Sequence, residues 1–168
     1  MKKFRKKAVV IISILALLSL FGVWYKYTFS MTKVAAFQVN TTRSDSKLLI
    51  ATQGSEFKNN ITQGVIDHYG PSSVFINVMD VSGLNGVFAE DYDAILVLHT
   101  WEYERPPDAV ASFMDRMKST ENNIIVMTTS GPGTSKIEGV DAITGESILE
   151  NVPQVVEKVI KRLDPFLK

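Results

Sequence analysis

The chain has 168 residues, of which 45% are hydrophobic and 21% are charged, and it contains no cysteine. This composition is typical of one globular domain and excludes disordered, collagenous and disulfide-stapled chains. The lack of cysteine also excludes thiolate chemistry and cysteine-ligated zinc or iron–sulfur sites.

Basic and acidic residues balance over the whole chain, with 18 of each, but they are unevenly placed. Five basic residues stand in the first seven positions, so the rest of the chain carries 13 basic against 18 acidic side chains. Such an acidic remainder offers no basic face, and we expect no nucleic-acid partner. The two histidines, His68 and His99, fall in different predicted elements, so we expect no metal site.

An uncharged, apolar run covers residues 8–25 (AVVIISILALLSLFGVWY). At about 1.5 Å per residue, a helix of this length reaches roughly 27 Å, close to the ~30 Å hydrocarbon core of a bilayer. Trp24 and Tyr25 stand where an interfacial aromatic belt lies. We therefore predict one N-terminal transmembrane helix that binds the lipid bilayer through residues 8–25.

The flanks of this run predict its orientation and processing. The basic segment 1–7 precedes it, which places the N-terminus in the cytoplasm and the remaining chain outside the cell membrane. The exit GVWYKY lacks the small-x-small pattern of a cleavage site, which favours an uncleaved signal-anchor over a cleaved signal peptide. The expected localisation is therefore the cell membrane, with a single span and an extracytoplasmic domain.

The rest of the chain divides into a polar stalk and one α/β domain. Residues 26–46 are polar and predict a stalk, although 33–39 could form a short strand or lie against the membrane. In residues 47–168, short β-branched runs alternate with helical patterns. The predicted strands cover 47–52, 73–79, 94–98, 123–128 and a short 137–143, and the predicted helices cover 57–69, a short 84–90, 107–118 and 146–167.

Alternation of strands and helices predicts a parallel sheet with crossover helices on both faces. The runs LLIAT, AILVL and NIIVMTT are apolar on both faces, which is typical of buried central strands. Ligands in such sheets bind beyond the carboxyl ends of the strands. We therefore expect the loops at Gln53, His99 and Ser130 to decide the function.

Three segments carry a resemblance to a known family: residues 48–57 (LLIATQGSEF), 92–113 (YDAILVLHTWEYERPPDAVASF) and 124–133 (IIVMTTSGPG). They resemble the corresponding strand ends of the flavodoxin-like family, in the same order, over residues 47–167. The resemblance implies a three-layer sandwich with a five-stranded parallel sheet of order 2-1-3-4-5. It also implies FMN as the cofactor, held at the tips of the first, third and fourth strands.

The first of these loops is expected to bind the FMN phosphate through Thr52, Gly54 and Ser55. A glycine turn at a helix N-terminus directs backbone amides at an anion. This loop departs from the family, because Glu56 and Phe57 stand in place of a Gly-Asn-Thr type sequence. A carboxylate in the first helical turn repels a phosphate dianion, so the phosphate loop is degenerate and argues against tight FMN binding.

The other two loops supply the expected contacts to the flavin ring. The second loop ends a strand with aromatic rings that can stack on isoalloxazine. In the third loop, glycine brings the backbone close to a planar ligand. The residues expected to bind are Thr100, Trp101 and Tyr103 in the second loop, and Ser130, Gly131 and Gly133 in the third.

The resemblance, together with the predicted membrane span, implies a membrane-anchored electron carrier that binds FMN noncovalently and serves a membrane or envelope redox partner. The cofactor would supply the chemistry, so no catalytic acid or base is assigned and enzymatic activity is left open. The alternative is a flavin-free, membrane-anchored module that uses the same strand tips to bind a protein or small ligand. Glu56 and Phe57 favour this alternative, whereas Trp101 favours the electron carrier.

Overall fold

A computed structural model describes residues 2–29, 31–41, 44–117 and 123–167. The chain forms two compact units, Met1–Met31 and Thr32–Lys168, and each is described by itself. The second unit contains the sheet and all of the residues that the sequence predicts to bind a ligand.

The first unit consists of one helix, α1 (Lys2–Phe29), which contains the predicted transmembrane segment. Its apolar side chains are exposed along the described length of the run; Leu17 and Leu20, for example, are both 71% exposed. Among the described residues, no helix meets the length and apolar character that a bilayer crossing requires. The predicted transmembrane helix is therefore not found in the described part of the chain.

The second unit is built on a sheet of six described strands, in the order β1-β3-β2-β4-β5-β6. Five of them run parallel, and the edge strand β1 pairs antiparallel with β3. The predicted count of five strands is thus wrong, because the sheet also includes this antiparallel edge strand. The five parallel strands follow the predicted order 2-1-3-4-5. The strands are β1 (Phe37–Val39), β2 (Ser46–Thr52), β3 (Val74–Asp80), β4 (Ala94–Thr100), β5 (Ile124–Thr129) and β6 (Ala142–Gly145).

Three α-helices and three short 3-10 helices accompany the described strands, and the last 3-10 helix and the last α-helix follow the last strand. The predicted helix over 84–90 is replaced by two 3-10 helices, and the predicted strand over 137–143 begins later, at Ala142. The predicted helix over 146–167 begins only at Val152, because a 3-10 turn precedes it. The helices are α2 (Glu56–Tyr69), α3 (Asp108–Met117) and α4 (Val152–Leu167), and the 3-10 helices are Val81–Gly86, Ala89–Asp91 and Leu149–Asn151.

Two hydrophobic cores hold these elements in three layers. Residues Ile50 and Leu96 face one core, beneath α2 and α4. Their neighbours Leu49 and Val97 face the other core, beneath α3 and Val81–Gly86. Because successive strand residues point to opposite faces, a central strand covered on both sides must be apolar throughout. The apolar runs therefore become β2 and β4, and the fold is a doubly wound α/β sandwich with the strand order of flavodoxin-like sheets.

Part of the predicted stalk belongs to this sheet. Strand β1 is followed directly by Asn40, whose backbone is left-handed with a φ of 66°. The Asn40 side-chain amide donates to the carbonyls of Gly70, Ser72 and Val74, at 3.1, 3.2 and 2.8 Å. Asparagine tolerates this backbone region better than other side chains do, so Asn40 both turns the chain and fixes it to the sheet edge.

Candidate functional site

The carboxyl ends of three central strands meet at one edge of the sheet. Thr52 at the end of β2 pairs with Leu98 of β4, and Thr100 at the end of β4 pairs with Thr129 of β5. The three loops that the sequence predicts to bind a ligand therefore lie at a common edge. Such an edge is where doubly wound sheets bind their ligands.

The first loop is closed by a residue from the segment before the sheet. The Gly54 amide donates to the Thr32 carbonyl at 2.8 Å, and the Thr32 amide donates back to Gly54 at 3.3 Å. The Thr32 hydroxyl also donates to the Gly54 carbonyl, at 3.0 Å. A Cβ atom on Gly54 would lie 2.6 Å from the Thr32 carbonyl oxygen, so the approach requires glycine. The amide expected to face a phosphate is therefore bonded within the chain.

The other predicted residues of this loop also serve the chain itself. Thr52 is buried. Ser55 is the N-cap of α2, and its side chain accepts from the Lys58 amide at 3.3 Å. Glu56 occupies the first turn of α2 and is exposed. A negative charge at this end complements the helix dipole, which makes the position less favourable for a second anion.

Lys58 is a residue at this edge that the sequence analysis did not single out. Its side chain is only 1% exposed, in the first turn of α2. Its ammonium donates to the Thr100 hydroxyl at 2.5 Å and to the Ser55 hydroxyl at 3.4 Å. Burial lowers the pKa of Lys58 to about 8, although the charge of Glu102 opposes that shift. A cation is thus held beneath the strand tips by hydroxyl groups.

The hydroxyl of Thr100 continues this network toward β5. It lies 3.0 Å from the Thr129 hydroxyl, so Lys58, Thr100 and Thr129 form a chain of polar contacts across α2, β4 and β5. The buried His99 lies beneath the same strand ends. Its Nε2 is 2.9 Å from the Thr128 hydroxyl and its Nδ1 is 3.4 Å from the Thr100 carbonyl.

His99 is held in its neutral form. Burial lowers its pKa to about 4, the backbone contact to Thr100 opposes this shift, and the charge of Lys58 adds to it. Because a carbonyl only accepts hydrogen bonds, the Nδ1 nearest the Thr100 carbonyl is assigned the proton, and Nε2 then accepts from Thr128. His99 therefore supports the strand ends and is not a proton donor near neutral pH.

The second loop turns sharply and projects an aromatic ring into solvent. Glu102 and Arg105 exchange backbone hydrogen bonds of 2.9 and 3.0 Å, and the two residues between them have positive φ angles. Tyr103 has a φ of 48° and Glu104 has a φ of 62°, which is the backbone of a type I′ turn. Tyr103 is 75% exposed, whereas Trp101 is partly buried. The two aromatic residues are thus in different surroundings.

A glutamine joins the first and second loops. The Gln53 side chain accepts from the Thr100 amide at 2.6 Å and donates to the Glu102 carboxylate at 3.0 Å. Gln53 is itself buried, and both of its contacts are partly buried. This amide fixes the Glu102 carboxylate close to the Lys58 charge.

The third loop borders a small, shallow cavity at the same edge, which is open to solvent. Gly133 has a positive φ of 68° and packs against Glu146. The cavity has a volume of about 360 Å³ and brings together three of the predicted residues. Its lining consists of Thr100, Thr129, Ser130, Gly131, Glu146, Ser147 and Ile148. The other predicted residues, Thr52, Gly54, Ser55, Trp101, Tyr103 and Gly133, do not line it.

These residues do not fit FMN in the position that the resemblance implies. The Gly54 amide is bonded to Thr32, and Glu56 places a negative charge beside the expected phosphate. Neither Trp101 nor Tyr103 borders the cavity, so no ring of the second loop forms its wall. The first loop therefore lacks a free backbone amide at Gly54 for a flavin phosphate.

Comparison with known proteins adds little to this geometry. No family model matches the chain, and no curated protein matches it. One similar solved structure is that of an NADPH-quinone reductase from P. pentosaceus, which is 11% identical, with a TM-score of 0.33. The match covers 70% of this chain and 77% of that chain, and a likeness of this degree carries no argument about activity. The class of protein is therefore given by the fold, because the strand order is that of a doubly wound α/β protein.

Proposed function

We propose that the chain is a flavin-free binding module, in which the carboxyl edge of a flavodoxin-like sheet binds a small ligand or a protein. The observation that carries this proposal is the pair of backbone hydrogen bonds between Thr32 and Gly54. To receive a phosphate there, the Gly54 amide must leave its present acceptor, and the chain must move away from the loop. Exchanging one satisfied hydrogen bond for another gains little, and the nearby charge of Glu56 lowers that gain further.

A membrane partner for α1 is a second part of the proposal. The exposed apolar side chains of α1 include Ile12, Leu17 and Leu20, and a contiguous apolar surface of this kind marks a contact with lipid or protein. The basic segment 1–7 before the run favours a cytoplasmic N-terminus and an extracytoplasmic domain. Retention of the full chain in the membrane pellet after an alkaline carbonate wash is the expected result, and release into the supernatant would contradict it.

FMN binding for electron transfer is a second candidate, favoured by the second loop. A left-handed turn holds Tyr103 in an exposed position, and such strain in non-glycine residues is commonly found at binding sites. Trp101 stands two residues earlier at the end of β4. Together they offer aromatic surface that could stack on a flavin ring outside the cavity.

A fluorescence titration of FMN into the full chain in detergent micelles separates the two candidates. The flavin-free proposal predicts no saturable quenching up to high micromolar FMN, for the wild type and for Trp101→Ala alike. Saturable quenching that Trp101→Ala weakens would overturn it in favour of the electron carrier. In that case Glu56→Asn should tighten binding by removing the charge beside the phosphate, whereas the matched control Glu90→Asn, before β4, should not.

A further inference from the structure

We propose that the carboxyl edge of the sheet docks on the surface of a lipid bilayer through the exposed side chains of Tyr103, Ile148 and Leu149. This inference rests on the proposed attachment of α1 to a membrane, and it names a partner for the edge. Two independent observations support it. One is the point at which the chain enters the second unit, and the other is the distribution of exposed apolar side chains on that unit.

The chain enters the second unit at the carboxyl edge. Thr32 is the first residue of that unit, and it exchanges backbone hydrogen bonds with Gly54, beyond the end of β2. In the sequence, residues 26–31 are all that separate the apolar run 8–25 from Thr32. The seven steps from the end of the run to Thr32 reach at most about 25 Å, even in a fully extended chain. When the apolar run lies in a bilayer, the edge that holds Thr32 therefore stays near the membrane surface.

The segment that follows Thr32 is also fixed to the sheet. The Val34 amide donates to the Asp80 carboxylate at 3.0 Å, and β1 pairs with β3. The connection to the apolar run therefore cannot lengthen unless these bonds break. The amino edge, where the parallel strands begin, lies a strand length away, and the seven residues of β4 correspond to about 23 Å. The connection thus favours the carboxyl edge as the part that meets a bilayer.

Exposed apolar side chains are concentrated at the same edge. Five large hydrophobic residues are exposed in the described part of the second unit, and three of them follow strands that end at this edge. Tyr103 after β4 is 75% exposed, and Ile148 and Leu149 after β6 are 41% and 40% exposed. The other two, Phe37 and Phe88, lie in β1 and before β4. Exposed apolar surface of this kind marks a contact with another phase or molecule, and tyrosine is enriched where a bilayer meets water.

The charges beside these side chains indicate which lipids suit the edge. Among the exposed residues of 101–108 and 146–151, four are acidic and one is basic. An acidic excess repels an anionic lipid surface, and salt screens that repulsion. The edge therefore suits a surface of neutral, zwitterionic lipids. The acidic residues are Glu104, Asp108, Glu146 and Glu150, and the basic residue is Arg105.

Fluorescence quenching by lipids tests this placement, with the full chain in phosphatidylcholine vesicles. The chain has no cysteine, so a single introduced cysteine carries the fluorophore. Ser147→Cys places the label beside Ile148, and the matched control Ser73→Cys places it before β3, at the amino edge; both serines are exposed. Lipids with a nitroxide on the headgroup, present in both leaflets, should quench the label at position 147 several times more strongly than the label at position 73.

The same label tests the apolar side chains. Tyr103→Asn removes the ring, and asparagine tolerates the left-handed backbone at this position, where φ is 48°. Combined with Leu149→Gln, it should lower the quenching at position 147 toward that at position 73, because less apolar surface holds the edge on the lipid. The matched control Phe88→Gln removes an exposed ring outside this edge and should leave the quenching unchanged. Quenching that Tyr103→Asn with Leu149→Gln leaves unchanged would overturn the inference.

The lipid charge provides a second readout. Replacing part of the phosphatidylcholine by phosphatidylglycerol should weaken the quenching at position 147, and added salt should restore it, because the acidic residues of the edge are then screened. Stronger quenching in the anionic vesicles would contradict the docking of an acidic edge on neutral lipid.

The results distinguish this inference from the proposal on which it rests. Flotation with the vesicles reports whether the chain is attached to the membrane. A chain that floats but is quenched equally at positions 147 and 73 would overturn the docking of the edge while the attachment stands, and its apolar side chains would then be assigned to a protein partner. A chain that does not float overturns both. Stronger quenching at position 147 that requires Tyr103 and Leu149 supports both.

Discussion

The ammonium nitrogen of Lys58 lies 2.5 Å from the hydroxyl oxygen of Thr100 and joins the first turn of α2 to the end of β4. A well-packed apolar side chain at this position would serve stability better than a charge without a carboxylate in contact. Departures of this kind from the rules of core packing are expected at functional sites. The effect of this contact on the stability of the edge is therefore a direct test of the structure.

Replacing Lys58 with methionine should change how stability depends on pH. The folded-state pKa of about 8 lies below the ordinary value of 10.5, so the buried charge destabilises the folded chain at pH 7, and the effect is relieved as pH rises from 8 toward 10.5. The wild type should therefore gain about 2 kcal/mol relative to Lys58→Met between pH 7 and pH 9.5. Urea unfolding at the two pH values measures this, and parallel pH profiles would contradict it.

Acid should destabilise the fold through His99. Its pKa of about 4 lies below the ordinary value of 6.5, so the unfolded chain takes up a proton first as the pH falls. Stability should drop by about 2 kcal/mol between pH 7 and pH 4.5, and His99→Gln should remove most of that loss. The control His68→Gln changes an exposed histidine and should retain the loss. Equal acid profiles for the two variants would show that His99 is not responsible.

Gly54→Ala should destabilise the second unit. The new Cβ would lie 2.6 Å from the Thr32 carbonyl oxygen, so the paired backbone must separate, at a cost of about 1–3 kcal/mol. Gly131→Ala is the control at the same edge, because a Cβ there meets nothing within 4 Å. Denaturant unfolding of both variants measures the difference. A neutral Gly54→Ala would mean that Thr32 does not close this loop.

Asn40→Ala should loosen strand β1 from the sheet edge. The substitution removes a side-chain amide that contacts three backbone carbonyls. It also places alanine in a left-handed backbone conformation, which alanine adopts less readily than asparagine. We expect a loss of about 1–2 kcal/mol in the free energy of unfolding. Gln38→Ala, an exposed change within β1, should stay within about 0.5 kcal/mol of the wild type. Similar losses in both variants would refute a specific role for Asn40.

The central sheet was predictable because burial on both faces leaves a continuous apolar pattern, as in the runs that became β2 and β4. Strand β1 carries no such pattern, since Phe37 and Gln38 are exposed and its pairing depends on a distant partner strand. Helix α4 begins at Val152, six residues after position 146, where the sequence predicts its start. Pro153 was a local signal for the later start, because proline is favoured in the first helical turn.

The chemistry of the edge was less predictable than its position. Lys58 lies three and four residues before the buried Ile61 and Thr62, so the helical period places it on the buried face of α2. Sequence alone does not reveal that its charge meets hydroxyls from β4, because that contact joins residues 42 positions apart. The hydrogen bonds between Thr32 and Gly54 likewise join residues 22 positions apart, and no local sequence motif predicts them.

Amide hydrogen exchange at Gly54 in the full chain, measured with and without FMN, tests the central claim most directly. The account predicts that this amide is already protected without ligand, because it donates to Thr32, and that saturating FMN leaves its exchange rate unchanged. Rapid exchange without ligand, followed by strong protection when FMN is added, would show an open phosphate loop and contradict a flavin-free edge.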